Sequence, residues 1–237
     1  MKNKILVIIP AYNEEGNIAN TVKEAFSLKL SSDVLVIDDG SVDKTAKMAE
    51  DAGANVVSLP FNLGIGAAVQ TGFKYARNHE FDLVVRIDGD GQHDISYLEK
   101  IIDFLLKEEL DIAIGSRFVG SLSNYRFSFV RRIGINFFSS LISLLTDYKV
   151  TDPTSGFRAY NKRMIKIFAE YYPHDFPEPE EILVADRYMA KIKETAVKMN
   201  KRVSGTSSIR YLKTLYYMIK VTFAILLDKF KRKGDDL

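Results

Sequence analysis

Asp88 and Asp90 stand two residues apart around Gly89, directly after the run Leu83 to Ile87. Two carboxylates flanking a residue without a side chain can both turn toward one hard cation, and Gln92 can add a neutral oxygen. Mg²⁺ or Mn²⁺ is the natural occupant. The plainer reading of a lone Asp-x-Asp is a solvated acidic turn, and context argues against it here. A second acidic pair, Asp38 and Asp39, ends a neighbouring apolar run. Four carboxylates at one rim repel one another unless a cation or a donor-rich ligand offsets them. One or both of Asp38 and Asp39 can instead accept hydrogen bonds from a nucleoside. His93 can ligate a metal as well, but with two Asp and a Gln at hand a structural hydrogen-bonding role suits it better.

These turns need a scaffold that brings them together. The first half of the chain alternates short β-branched runs with helical patterns, the signature of a parallel sheet covered by helices. Strands are predicted at Ile5–Ile9, Val34–Ile37, Asn55–Val57, Leu83–Ile87 and Ile112–Ile114, and helices at Ile18–Leu28, Lys44–Ala52, Ala67–Asn78 and Tyr97–Leu106. In open α/β sheets ligands bind beyond the carboxyl ends of the strands, so the turns after each run should converge on one site. Beyond Arg117 the pattern changes. Tyr125 to Leu145 mixes arginines and aromatics with an apolar stretch, and Thr151 to Arg158 reads as a dense polar turn. Gly64-Ile65-Gly66 lacks the third glycine of a dinucleotide fingerprint, Val69 standing in its place, and follows the third strand instead of the first.

Composition narrows the classes. At 237 residues and 46% hydrophobic content the chain can bury a sizeable core. Lys and Arg number 33 against 31 Asp and Glu, too balanced to imply nucleic-acid binding from bulk charge. Cysteine is absent, which excludes disulfides and thiolate metal sites and fits a reducing compartment. The basic start and the run Ile5 to Ile9, stopped by Pro10, read as a first strand and not as a signal peptide. No uncharged apolar run reaches the roughly 18 residues of a spanning helix, so a membrane contact is expected to be peripheral.

Pro10-Ala11-Tyr12-Asn13-Glu14, Asp38-Asp39-Gly40-Ser41, Asp88-Gly89-Asp90-Gly91-Gln92-His93, Gly115-Ser116-Arg117 and Ser155-Gly156-Phe157-Arg158 occur in this order. In order and spacing they resemble family 2 glycosyltransferases, most of all the dolichyl- and polyprenyl-phosphate sugar synthases. The likeness runs from about Lys4 to about Ile209. It implies an α/β GT-A (Rossmann-like) fold, a nucleotide-sugar donor, a divalent metal and inversion at the anomeric carbon. Carried over by residue, it implies that Pro10, Tyr12, Glu14 and Asp39 line a nucleoside pocket. The resemblance likewise implies that Asp88, Asp90 and Gln92 hold a metal bridging the donor diphosphate and that Asn62 and Gly64 face that diphosphate. Arg117 and Arg131 match acceptor-phosphate positions, and Arg202 a late basic position near the donor phosphates. For each arginine the alternative is a surface salt bridge.

Asp152 marks the acceptor question. A sugar hydroxyl needs a general base near this region, whereas a phosphate monoester is already a competent anion at pH 7. With a lipid phosphate as acceptor Asp152 need only orient groups, and it also suits a turn or helix cap. The leading expectation is a hexosyltransferase acting on a polyprenyl phosphate, cytoplasmic and peripheral at the inner face of the cell membrane. UDP is preferred over GDP, and the sugar stays open. Transfer to a sugar hydroxyl of a polysaccharide or glycolipid is the second enzyme reading. A nucleotide-sugar-binding scaffold is the non-enzyme one, against which the paired metal carboxylates argue.

The catalytic domain is expected over residues 1–209 and an amphipathic, basic-ended helix over 210–237. There Arg210, Lys213, Tyr217, Lys220, Ala224, Asp228 and Lys231 form one narrow stripe on an otherwise apolar helix. A core helix or dimer interface accounts for such a face, and so does a membrane surface with Lys229, Lys231, Arg232 and Lys233 at the headgroups. Longer family members carry transmembrane helices after the catalytic domain. This chain ends without them, which leaves room for a separate small membrane protein as partner.

Overall fold

The computed structural model describes residues 3–27, 32–120, 129–200 and 211–230. The β-branched runs form strands β1 (Ile5–Ala11), β2 (Ser32–Asp38), β3 (Asn55–Ser58), β4 (Leu83–Arg86) and β5 (Ile112–Ser116). Between them lie helices α1 (Ile18–Ser27), α2 (Thr45–Asp51), α3 (Ile65–Asn78) and α4 (Leu98–Lys107). All nine match the sequence expectation to within two residues at either end. The second half adds α5 (Phe129–Leu145), β6 (Arg158–Asn161), α6 (Lys162–Glu170), α7 (Pro177–Arg187), β7 (Ile192–Ala196) and α8 (Tyr211–Phe230).

Among the described residues the strands form one seven-stranded sheet in the order β3-β2-β1-β4-β6-β5-β7. All pairings are parallel except those of β6, which runs antiparallel between β4 and β5. Alternating side chains feed two cores, one on each face. Val7, Ile9, Val34 and Val36 pack with α1 and α4, while Leu6, Ile8, Leu35 and Ile37 pack with α3, α6 and α7. The result is a three-layer α/β/α fold whose strand ends gather the turns expected to carry chemistry.

Thr151 to Phe157 is a turn as expected, but Arg158 opens β6 and does not belong to it. The reversed strand places Arg158 directly opposite Arg86, the last residue of β4. Both side chains are fully buried, and like charges facing each other across a strand pair repel. Helix α7 resolves this with two glutamates one turn apart. Glu181 accepts from Arg158 Nη1 at 2.6 Å, Glu178 pairs with Arg86 Nη2, and the hydroxyls of Tyr160 and Tyr172 donate to Glu181. The sheet, the loop after α6 and α7 thus share one buried polar knot.

Helix α8 lies against α7 and α5. Val221 and Ile225 are buried in the core, while Lys229 pairs with Asp186 of α7 at 3.1 Å. Part of the apolar face is therefore core, as one of the two readings of the tail required. Ile219, Phe223 and Leu227 remain exposed.

Breaking a buried ion pair from one side typically costs about 3–5 kcal/mol. Glu181→Ala, which strands Arg158 and two tyrosine hydroxyls, should lose that much stability in urea unfolding. The paired change Arg158→Met with Glu181→Leu should lose less than the single variant; equal losses would show that packing, not charge, sets the cost.

Candidate active site

At the carboxyl end of the sheet a cavity of about 340 Å³ is lined by Pro10, Ala11, Tyr12, Glu14, Asp39, Asn62, Gly64, Ile65, Ala68, Asp88, Gly89 and Asp90. Eight of these twelve were singled out from sequence. Four separate βα turns contribute because β3, β2, β1 and β4 are neighbours in the sheet and run parallel, so their ends share one rim.

The loops around the cavity are tied by backbone hydrogen bonds to side chains. Asp39 Oδ1 accepts from Leu63 N at 2.8 Å and Oδ2 from Gly64 N at 2.9 Å, which fixes the entry to α3. Gly40 makes this possible, since a Cβ there would stand 2.5 Å from the Phe61 carbonyl carbon. Asp38 Oδ1 accepts from Ser41 N at 3.2 Å, and Asp38 is not among the lining residues. The expected crowding of four carboxylates is therefore relieved partly by peptide N–H groups. Asp39 still borders the cavity, and a carboxylate oxygen can accept a second hydrogen bond. The Tyr12–Glu15 turn is laced to the next loop: Asn13 N donates to Ser41 Oγ, Glu14 N to Thr45 Oγ1, and Val42 N to Asn13 Oδ1.

Asp88 sits in a collar. Its side chain is 38% exposed, with Arg86 Nη2 3.5 Å from Oδ1 and His93 Nε2 3.5 Å from Oδ2. A Cβ on Gly156 would lie 2.7 Å from Oδ1 and 2.8 Å from Oδ2, so the glycine of the Ser-Gly-Phe-Arg turn is the floor on which this carboxylate rests. His93 is buried, stacks on Phe157, and accepts the Asp88 N–H at Nδ1. Burial holds its pKa below the usual histidine value, with Arg117 and Arg86 adding to the effect and Asp88 opposing it. Bonded to the backbone at Nδ1 and stacked on Phe157, the ring serves structure. Burial pushes the Asp88 carboxyl up, but His93, Arg86 and Arg117 outweigh it and bring it below its ordinary value. Asp90 Oδ1 accepts from Gln92 N at 3.0 Å. Gln92 does not line the cavity.

The residues fit a divalent cation that shares its coordination with a ligand. Among the described residues no three carboxylate or imidazole side chains cluster tightly enough to hold an ion alone. Asp88 and Asp90 nonetheless face one cavity around a bare glycine. Mg²⁺-type sites of this kind take one or two carboxylates and complete the shell with phosphate oxygens and water.

Arg117 and Asp152 come together, and neither lines the cavity. Asp152 is fully buried and receives Arg117 Nε and Nη2 at 2.6 Å each, plus the Arg117 N–H at 3.1 Å. Arg117 Nη2 also donates to Thr154 Oγ1 at 2.9 Å. Glu194 of β7 accepts from the Asp152 and Thr151 N–H groups and clamps the turn from the other side. Arg131 falls within α5, with its side chain outside what is described, and Arg202 lies outside the described residues. Sequence reading missed Arg86, Glu178, Glu181 and Glu194. The signal for the first was a charge inside an apolar strand; for α7 it was two acids three residues apart.

A mostly parallel sheet with one reversed strand, whose carboxyl rim carries an Asp-x-Asp turn, is the architecture of GT-A glycosyltransferases. Residues 6–168 match the model of Glycosyl transferase family 2, and the chain belongs to that family. It is 35% identical over 227 residues to an uncharacterized protein of Methanocaldococcus jannaschii, covering 92% of each. It is 28% identical to the UDP-N-acetylglucosamine–dolichyl-phosphate N-acetylglucosaminyltransferase of Methanococcus voltae, over 94% of this chain and 98% of that one. With the dolichol-phosphate mannosyltransferase of Pyrococcus furiosus it shares 31% identity over 92% of this chain and 64% of that protein. The glucosyl-3-phosphoglycerate synthase of Mycobacterium tuberculosis, solved with Mn²⁺, UDP and glucosyl-3-phosphoglycerate, superposes with a TM-score of 0.73 at 21% identity. That match covers 98% of this chain and 82% of the solved one.

Two outcomes are expected. Asp88→Asn and Asp90→Asn should each abolish sugar transfer with the circular dichroism spectrum unchanged, and EDTA should do the same to the unaltered protein; full rates in EDTA would refute the metal assignment. Arg117→Ala, which leaves Asp152 charged and buried, should cost about 3–5 kcal/mol of stability, read as a fall in the thermal midpoint. An unchanged midpoint would show that the pair is no clamp.

Proposed function

We propose that this chain moves a hexose from a nucleoside diphosphate sugar to a polyprenyl phosphate, with inversion, at the cytoplasmic face of a membrane. One observation carries the reading: a single cavity joins the Pro10–Glu14 turn and Asp39 to Asp88 and Asp90. The nucleoside lies between Tyr12 and Asp39, and the diphosphate points toward the two carboxylates. A bound Mg²⁺ or Mn²⁺ stabilises the charge that gathers on the leaving nucleoside diphosphate. Asn62 and Gly64, at the start of α3, flank the same phosphates.

The names of the Methanococcus and Pyrococcus relatives support a lipid phosphate as acceptor. So does the state of Asp152. Held in two short bonds by Arg117, it is badly placed to take a proton from a hydroxyl, and a phosphate nucleophile makes no such demand. In this reading Arg117 shapes the acceptor turn through Asp152, while Arg131 and Arg202 are the remaining candidates for phosphate contact.

Exposed apolar side chains support a peripheral membrane contact. No helix among the described residues is long and apolar enough to cross a membrane. Yet Ile219, Phe223 and Leu227 on α8, and Ile133 and Phe137 on the adjoining α5, are all exposed. Apolar burial at a headgroup layer accounts for such a surface.

Incubation with labelled UDP- and GDP-sugars, divalent metal and undecaprenyl or dolichyl phosphate should yield a lipid-linked product. Label that appears only on a glycan hydroxyl would favour the second enzyme reading and overturn this one. The double change Phe223→Glu and Leu227→Glu spares the buried Val221 and Ile225. It should reduce sedimentation with anionic liposomes while UDP or GDP binding persists; undiminished sedimentation would remove α8 from the membrane contact.

A further inference from the structure

Three arginines are buried among the described residues, and each has a carboxylate: Arg158 has Glu181, Arg117 has Asp152 and Arg86 has Glu178. The last pairing is unlike the others because one guanidinium nitrogen stands between two acids. Arg86 Nη2 contacts Glu178 Oε1 and lies 3.5 Å from Asp88 Oδ1, beyond the usual reach of a charge-assisted hydrogen bond. Nη1 is engaged by the Tyr172 hydroxyl at 3.3 Å, and Nε is buried with no partner. Arg86 is 1% exposed and cannot turn to water.

Glu178 reaches this point from the first turn of α7, between Pro177 and Pro179. It does not line the cavity. A helix N-terminus favours an acid on dipole grounds alone, but that does not account for an acid aimed at the guanidinium beside Asp88. Without Glu178, a buried and uncompensated Arg86 has one other carboxylate within reach, and that carboxylate is Asp88. A cation would then compete with a fixed positive charge for the same oxygens. With Glu178 in place, the Arg86 charge that reaches Asp88 is offset by an acid bonded to the same nitrogen. Its other flank is His93, which accepts the Asp88 N–H at Nδ1.

We propose that Glu178 is a positioning residue for the metal site: it neutralises Arg86 and holds that guanidinium off Asp88, so that the Asp88 carboxylate stays available to a divalent cation. This rests on the reading of Asp88 as a metal-binding carboxylate.

The experiment is a Mn²⁺ titration followed by the electron paramagnetic resonance of the free ion, on the whole protein with saturating UDP or GDP. Glu178→Gln should weaken Mn²⁺ binding roughly tenfold or more, the scale on which a unit charge a few ångströms away perturbs an aspartate. Removing the competing cation as well, in Arg86→Met with Glu178→Gln, should restore Mn²⁺ affinity to within about twofold of the unaltered protein. A purely structural Glu178 would lower the thermal midpoint and leave Mn²⁺ affinity untouched, and that result overturns the proposal. It falls equally if the double variant binds Mn²⁺ as weakly as the single. Should Glu178→Gln fail to fold, the double variant alone decides: near-normal affinity supports the proposal and a tenfold loss ends it. Asp88→Asn is the control. If it binds Mn²⁺ as tightly as the unaltered protein, the metal assignment itself has failed; if it does not and Glu178→Gln does, only the role of Glu178 is refuted.

Discussion

Two arginines meet in the interior of this protein, Arg86 at the end of β4 and Arg158 at the start of β6, in register across an antiparallel pair. Much of the second half is arranged around that meeting. Two fully buried guanidiniums cannot be left side by side, because the cost of burying a charge is recovered only through a close, well-bonded partner. Helix α7 supplies Glu178 and Glu181 from one face, and Tyr160 and Tyr172 close the remaining acceptor positions on Glu181. The knot ties the reversed strand, the loop after α6 and α7 to the sheet directly beneath Asp88.

Above the knot, the site is shaped by backbone as much as by side chains. Gly40 and Gly156 are spaces and not mere turns: one admits the Phe61–Asn62 loop, the other the Asp88 carboxylate. Gly66 has the same function on α3, where a Cβ would stand 2.2 Å from the Pro173 carbonyl oxygen. Gly64 carries a positive φ of 94° at the start of that helix, a conformation that costs glycine little. The Gly-Ile-Gly triplet thus serves packing and chain reversal, with no need of a dinucleotide.

The charges divide by depth. Buried arginines are matched with buried or half-buried carboxylates, while the acids that border the cavity are met by peptide N–H groups, by a buried histidine or by a shared guanidinium. That division keeps the interior near neutral and leaves the rim acidic, as suits a cation that a phosphorylated ligand helps to hold. Helix α8 is divided by face in a similar way. Val221 and Ile225 serve the core, and Phe223 and Leu227 stay outside it.

The first five strands and four helices were legible from sequence because each has a local cause: β-branched runs of period two, apolar residues at helical spacing, glycine and aspartate at the turns. The Asp88–Asp90 turn was legible for the same reason, since two residues around a glycine need no distant partner to face one way. Strand β6 was not, because Arg158-Ala159-Tyr160-Asn161 carries no strand pattern until Glu181, more than twenty residues later, satisfies its arginine and tyrosine. Likewise, Arg117 and Asp152 each stood out by position, but their union is a contact across 35 residues of chain. What the sequence determined by itself was therefore the repeating α/β half and the acidic turns at its strand ends. The tertiary structure decided which charges are matched inside and which are left to the cavity, because a buried charge is set by partners that folding alone brings near.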